Sequence, residues 1–418
     1  MWQMAKCYDM AQIPYVFTQL VQWLPRDKFD RLVGKYHGNV HVKVYSCWNH
    51  LLVMIWAQLT GRRSLRDIST SLRAHADKTY RMGMGSHYSR CNIANANAGR
   101  SVSIYRELAQ AMMHKASAVG CRDNGLGAIA QAFGVGGFFA IDSSTVTLDL
   151  GKFPWCVPQE GVGGVKLHTI YDIVKEVPRL CLITGHEERD QTFMGDYPYE
   201  NGCLYLFDRA YMKTPGLAAV KKAGAFFVVR KKSDILYRTM GKPLRTGAYS
   251  DSRIKFTGRW ASSGFPWQLR MVSFDMPGKG ETMHLLTNNT GIPPEAIALL
   301  YKNRWKIETF FKWVKQHLRI NSFYGTSANA VMIQIYTAFT AYCMLALVAD
   351  AVRFNGSLHD FSNLISVSLT EKVWIRDLVD RYDSASARIE QNRQLSLFDN
   401  YHFASCGAVL KRKKQMLK

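Results

Sequence analysis

Apolar and polar positions follow different rhythms along the chain, and each rhythm predicts a different kind of element. Up to about residue 120 the apolar positions recur every three to four residues, the period of helices with one buried face. Tyr15–Leu24 and Asp27–Lys35 read as short amphipathic helices, broken by Pro25 and Gly34, and Ser46–Leu59 as a longer apolar helix ending at Gly61. Ser64 stands three residues ahead of Asp67, the spacing of an N-cap. After Gly83-Met84-Gly85, a further helical pattern runs through Asn92 and Arg100 towards Ala118.

The rhythm changes at Gly134-Val135-Gly136-Gly137. Phe138-Phe139-Ala140-Ile141 is an unbroken apolar run, extended by the β-branched Ser143–Leu148 segment, and predicts a buried strand. Lys166–Ile173 and Arg179–Thr184 predict a hairpin turning at Lys175-Glu176-Val177-Pro178. Leu204–Phe207 is a short buried strand, residues 214–222 a helix and Ala225–Arg230 another strand. Strand pairs followed by strand–helix alternation predict an α/β fold, a mixed sheet flanked by helices.

Lys255–Trp260, Trp267–Phe274 and Met283–Thr287 are strand-like and separated by Gly, Pro and Ser, which marks residues 231–290 as a β-rich insertion. From Pro294 the pattern is helical to about Val379. The predicted organisation is an all-helical domain at 1–125, a core assembled from 134–230 and 291–380, the insertion, and a C-terminal segment, 381–418, with a basic tail. Val331–Val352 is apolar enough to cross a membrane. It contains Gln334, Thr337, Thr340 and Asp350 and follows a polar helix, so a buried core helix without membrane contact is expected.

Charge narrows the partner. The chain has 54 Lys and Arg against 32 Asp and Glu, a net of +22, and such an excess favours a polyanion through counterion release. Residues 1–125 carry 17 cations and 7 anions, a net of 17 − 7 = +10, and Lys411–Lys418 adds five cations. Helices separated by Gly turns and studded with Arg suit a helix-turn-helix reader of DNA, and a plain helical bundle with a basic face fits the same pattern. Nine scattered cysteines, an odd count without a Cys-x-x-Cys pair, predict reduced thiols and a cytoplasmic protein. The first 25 residues lack a basic start followed by an apolar core, so no signal peptide is expected.

Carboxylates carry the candidate chemistry. Asp142 follows four apolar residues inside a strand, and Asp208 ends another apolar strand ahead of Arg209. A carboxylate on a buried strand is costly unless something neutralises it, and a shared cation is one solution. At about 100° per residue, Tyr301, Arg304, Glu308 and Lys315 fall within roughly 60° of one another on a single helix through 301–320. Arg319 lies on the same stripe and Lys312 beside it, while Ile307, Phe310, Phe311, Val314 and Leu318 form the neighbouring apolar face. A salt-bridged, solvated helix face accounts for the stripe taken alone. Two strand carboxylates plus one on a packed helix can also hold two Mg²⁺ or Mn²⁺ ions about 4 Å apart, which suits phosphodiester chemistry. Asp149, Asp172 and Asp275 compete for these roles. Asp275 ranks below Asp208 because Pro277-Gly278 follows it as in a hairpin turn.

At these residues the sequence resembles the DDE transposases of bacterial insertion sequences, in particular the insertion-sequence-4 family. The family's Tyr-x2-Arg-x3-Glu-x6-Lys signature is met by Tyr301, Arg304, Glu308 and Lys315. Ile141-Asp142-Ser143-Ser144 resembles its first catalytic strand and Phe207-Asp208-Arg209-Ala210-Tyr211 its second. The gaps are 208 − 142 = 66 and 308 − 208 = 100 residues, and the long second gap is similar to a family habit of inserting a β-rich subdomain. The resemblance also includes Lys166-Leu167-His168-Thr169 and Leu59-Thr60-Gly61, while His186-Glu187-Glu188-Arg189-Asp190 departs from the acid or His-Asp pair found in relatives.

The resemblance implies an RNase H-like catalytic core with Asp142, Asp208 and Glu308 as catalytic and metal-binding residues. It implies cut-and-paste transposition: metal-dependent cleavage at transposon ends followed by strand transfer into target DNA, by a homodimer on paired inverted repeats. Tyr301, Arg304 and Lys315 are expected at phosphates, with Arg209, Lys312 and Arg319 as further DNA contacts. Trp260 or Trp267 is a candidate to stack on a flipped base, against the alternative of packing on its own sheet. A related nuclease without strand transfer and a retired, purely DNA-binding chain are the competing functions. The expected location is the bacterial cytoplasm, at the nucleoid.

Overall fold

A computed structural model describes residues 13–119, 125–157, 163–188, 193–276, 280–317 and 322–385. Arg319, Asp190, Gly278 and the basic tail lie outside the described residues, as does the side chain of Trp260.

The helical first third contains α1 (Val16–Val21), α2 (Arg26–Lys35), α3 (Cys47–Leu59), α4 (Leu65–Ala74), α5 (Ala76–Thr79), α6 (Arg90–Gly99), α7 (Val102–Val119) and α8 (Leu126–Ala132). Side-chain oxygens satisfy the open N–H groups at several starts: Ser46 and Asn49 form a capping box on α3, and Ser64 caps α4 through the N–H of Asp67. Gly34 does not end α2, which runs one residue past it. The pattern read through Asn92 and Arg100 as one helix is two, α6 and α7, because Arg100 is extended. Its guanidinium is drawn inward to donate to the carbonyls of Tyr45 and Ser46.

The sheet consists of β1 (Phe138–Leu148), β2 (Gly163–Asp172), β3 (Val177–Gly185), β4 (Leu204–Phe207), β5 (Phe226–Arg230), β6 (Tyr237–Thr246), β7 (Tyr249–Phe256), β8 (Leu269–Asp275) and β9 (Thr282–Thr287). Helices α9 (Phe193–Asp196), α10 (Thr214–Lys222) and α11 (Arg259–Gly264) lie between strands. Strand order is β3-β2-β1-β4-β5-β9-β8-β7-β6. β1, β4 and β5 run parallel, and the remaining pairs are antiparallel. The strands of 231–290 therefore continue the central sheet through β9 on β5.

One expectation in that stretch fails, and one strand there was not expected. The strand expected over Lys255–Trp260 ends at Phe256, and Trp260 falls in α11, so the exposed edge of that run turns into a helix. β6 was not foreseen because Gly241 and Pro243 interrupt its pattern. Pro is tolerated there since β6 is the edge strand among the described residues.

The last helices are α12 (Pro294–Lys302), α13 (Trp305–His317), α14 (Ala328–Ala351) and α15 (Leu358–Ser368), followed by helical residues 375–385. α14 is long and apolar enough to cross a membrane, but 89% of its most apolar window is buried against the protein, including α3 and α7. An apolar surface all round is what a central core helix requires. Gln19 on α1 donates to the carbonyl of Val373 and accepts from the N–H of Ile375, so the two ends of the described chain close on each other.

The alternation of β1 and β4 divides the core. Phe138, Ala140, Leu204 and Leu206 face the layer containing α3, α7, α13 and α14, whereas Phe139, Ile141, Tyr205 and Phe207 face α10. Arg270 on β8 joins the extension to α12. It pairs with Asp251 on β7 at 2.7 Å and donates to the carbonyls of Asn289 and Ile292, in the segment leading into that helix. Replacing Arg270 by Met leaves a mostly buried carboxylate and two carbonyls without their donor. The expected loss is about 3 kcal/mol, visible as a lower urea midpoint, and an unchanged midpoint would remove Arg270 as a brace.

Candidate active site

Asp142 and Asp208 occupy equivalent places on neighbouring parallel strands. Ile141 is in register with Phe207, so each acid comes immediately after the last paired residue. Adjacent strands lie about 4.8 Å apart, and side chains alternate between faces. Asp142 follows Phe138 and Ala140 on one face, and Asp208 follows Leu204 and Leu206 on the same face. That face receives α13, whose Ile307, Phe310, Phe311 and Val314 are buried in the same core.

Glu308 comes to this edge from α13. Lys306 fixes the helix start by donating to the Ile173 carbonyl and pairing with Glu176 at 2.8 Å. Further along, Lys315 Nζ donates to the carbonyl of Thr145 on β1 at 2.6 Å. Phe310 packs between Tyr171 and Tyr342, with ring centroids 5.0 and 4.9 Å away.

The single helix expected across 301–320 is two. α12 stops at Lys302, and the Arg304 N–H bonds the Tyr301 carbonyl three residues back, the tighter spacing of a 3₁₀ turn. Asn303 contributes by turning its side-chain amide onto the Leu299 carbonyl. Tyr301 therefore belongs to α12, Arg304 to the break, and Glu308 and Lys315 to α13. The four still converge.

Arg304 is the centre of the arrangement. It is 8% exposed, its Nη2 donates to Glu308 Oε1 at 2.7 Å, and its Nη1 lies 3.7 Å from Asp142 Oδ2. Its guanidinium carbon stands 5.9 Å from the Tyr301 ring centroid. Burial pushes the Asp142 carboxyl up to about 6, against the lowering effect of the Ser143 N–H and Arg304, and the negative charges of Glu308 and Asp208 push it the same way. Burial also pushes the Tyr301 hydroxyl up to about 12 and draws the Lys315 ammonium down.

A cleft of about 420 Å³ opens beside the acids, lined by Asp142, Ser143, Ser144, Glu308, Phe311, Lys312, Lys315 and Gln316. Lys312 is exposed at its rim, and Arg209 is exposed beyond Asp208. Gln316 was missed in the sequence. It follows Glu308 by eight residues, about 80° round the helix, and so falls off the stripe that drew attention.

The competing acids have local partners. Asp172 accepts from the N–H groups of Val174 and Lys175, Asp149 from that of Gly151, and Asp275 from the Thr282 hydroxyl. Trp267 packs edge-on against Phe265, with centroids 5.1 Å apart.

Fold and site together define an α/β protein with an acid cluster where two neighbouring parallel strands stop pairing, faced by a basic helix. The chain belongs to the family described as the transposase DDE domain, which matches residues 134–344 and so includes all three acids. Residues 14–85 match a domain of unknown function, DUF4372. A Sinorhizobium fredii protein provisionally named transposase y4zB is 35% identical over 239 residues, 56% of this chain and 66% of that protein. A Geobacillus stearothermophilus protein, provisionally named the transposase of insertion sequence element IS5377, is 30% identical over 224 residues, 51% and 57% of the two chains. The chain thus matches less than two thirds of the length of each of these relatives. Among solved structures, a piggyBac transposase synaptic complex with hairpin DNA aligns over 89% of this chain and 82% of its own, at 9% identity and a TM-score of 0.44.

The cluster has a measurable consequence for stability. A charged Asp142 is held in surroundings that disfavour its charge, whereas Asn keeps an oxygen for the Ser143 N–H. Asp142→Asn is expected to stabilise the protein in EDTA at pH 7.5 by about 1 kcal/mol, a rise of roughly 1–3 °C in thermal midpoint. A fall of that size would mean that the carboxylate is a structural partner of Arg304.

Proposed function

We propose that the protein is a DDE-type transposase that cleaves DNA at transposon ends and transfers the freed strand to a target. The observation that carries this reading is the convergence of Asp142, Asp208 and Glu308 on one sheet edge, within a chain of the transposase DDE domain family. The antiparallel β3-β2-β1 run followed by parallel β4 and β5 supports an RNase H-like core, with 1–125 as a DNA-binding domain and 231–290 as an insertion. The spacing of Tyr301, Arg304, Glu308 and Lys315 supports the insertion-sequence-4 group within that family.

The donor set fits oxygen-seeking divalent cations such as Mg²⁺. The three carboxylates gather about the Arg304 guanidinium, and burial, with a smaller push from the charges of Glu308 and Asp208, holds the Asp142 carboxyl above its usual range. Among the described residues the acids do not form a closed cation cage as they stand, because Arg304 bridges Asp142 and Glu308. Asp142, Asp208 and Glu308 would hold two ions. When bound, such ions activate an attacking oxygen and stabilise the leaving oxygen of a phosphodiester.

The remaining residues bind and orient. Lys315 and Lys312 line the cleft next to the acids, where a phosphate would lie, and the Tyr301 hydroxyl keeps its proton as a neutral donor. Arg304 is poised to exchange its carboxylates for a DNA phosphate. Arg209 extends the basic surface beyond Asp208, and Arg238, Lys242 and Arg245 are exposed along β6. Two such sites, one per protomer of a homodimer, would serve the paired ends of an element.

Cleavage of the element's own ends, taken from DNA flanking the gene, tests the reading. With Mg²⁺ the wild type is expected to cut at the repeat boundary and to join the 3′ end to target DNA. Asp142→Ala, Asp208→Ala and Glu308→Ala are each expected to lower the rate by on the order of 10³-fold or more, and EDTA to abolish it. Cleavage without joining would make the protein a nuclease, and binding without cleavage would make it a DNA-binding relic.

A further inference from the structure

Beyond the acids the surface continues into a second cleft, of about 370 Å³, lined by Leu59, Thr60, Gly61, Arg62, Gln316, Ser362, Asn363, Ser366 and Val367. Its walls are the turn after α3, the end of α13 and one face of α15. The two clefts share Gln316, which is exposed where they meet.

The turn is built to hold its arginines in place. Gly61 has φ +61°, a left-handed conformation that suits glycine, and the Arg62 N–H bonds back to the Ala57 carbonyl. The carbonyls of Arg62 and Arg63 accept from the hydroxyls of Tyr324 and Ser322, in the segment joining α13 to α14. Arg62 Nε donates to Thr60 Oγ1 at 3.1 Å. Neither arginine has a carboxylate partner among the described residues, and no acid lines this cleft. Arg62 lines the cleft, and the exposed Arg63 follows it on a turn held through its backbone. Two cations without a carboxylate partner among the described residues thus stand beside a polar surface continuous with Lys312 and Lys315, which suits a chain of negative charges.

We propose that this second cleft is a phosphodiester-binding track, in which Arg62 and Arg63 grip the backbone of the DNA strand leaving the acid cluster and Asn363 meets its polar edge. The inference rests on the transposase reading and adds to it a path for the DNA. From Glu308 to Gln316 the helix rises about 12 Å. At 3.4 Å per nucleotide along one strand, the track begins about three to four nucleotides from the reacting phosphate. It makes the helical first third and α15 two walls of one DNA channel, with α13 as its floor.

The test uses a fluorescein-labelled 30-base-pair duplex of arbitrary sequence, since phosphate contacts do not depend on bases. Binding is measured as a function of salt for the wild type, Arg62→Gln/Arg63→Gln, Asn363→Asp and a control, Lys221→Gln/Lys222→Gln. The control pair lies on α10, packed on the opposite face of the sheet. The arginine pair is expected to reduce the log–log salt slope by about 2 and to weaken binding at 100 mM salt on the order of tenfold or more. Asn363→Asp is expected to weaken binding by adding a negative charge to the track, and the control to change the slope by less than about 0.5. Equal effects of the arginine and α10 pairs, or no effect of the arginine pair at an unchanged thermal midpoint, would overturn the track. If wild type cleaves element ends while that happens, only the track fails; wild type that neither binds nor cleaves brings down the reading beneath it.

Discussion

The contact of Arg304 with Asp142 and Glu308 joins the sheet to the helix that completes the site. A buried guanidinium needs its charge opposed, and here the opposing charges come from two different elements. Asp142 comes from β1, Glu308 from α13, and Arg304 from the break between α12 and α13. The contact is not a settled one: among the described residues Arg304 Nε and Nη1 are buried without a hydrogen-bond partner. Such a centre holds the side chains in place while leaving them a reason to accept a different counter-charge.

Much of the frame was legible because it obeys simple periodicities. The run Phe138–Ile141 could only be a strand buried on both faces, and all four residues are less than 9% exposed. The short apolar run Leu204–Phe207 matches β4 residue for residue. Where the sequence misled, a local rule was outweighed by tertiary contact. Arg100 breaks a helical pattern to satisfy two carbonyls, and β6 carries a proline that an edge strand can accept. No periodicity reveals that 231–290 pairs back onto β5, since register across such a separation is fixed by partners distant in the chain.

The site was legible in a different way. Asp142 and Asp208 stood out as charges directly after apolar runs, one inside a strand and one ending it, and the parallel register of β1 and β4 brings them side by side. The stripe on 301–320 was found by treating the segment as one straight helix. That geometry is wrong at Arg304, yet the residues meet, with Arg304 bonded to Glu308 and beside the Tyr301 ring. Gln316 is not marked by any pattern, and Leu59-Thr60-Gly61 stood out as a helix end and a point of resemblance but not as a neighbour of the acids, for the converse reason. Their proximity arises from the packing of α3, α13 and α15, which leaves no regular spacing in the sequence.

The position of the acid cluster also depends on parts of the chain that contribute nothing to it. α13 is held by Lys306 at the β2–β3 turn and by Lys315 on β1, so one end of its support is the sheet itself. The other end is α12, which packs on β7 and β8 and is entered through Asn289 and Ile292. Arg270 binds the carbonyls of both residues while paired with Asp251, so the β-rich extension sets where α12 begins. The turn that carries Arg304 follows α12 directly, bonded back to Tyr301. The β-rich extension and the turn that carries Arg304 are thus joined through one buried ion pair and one helix.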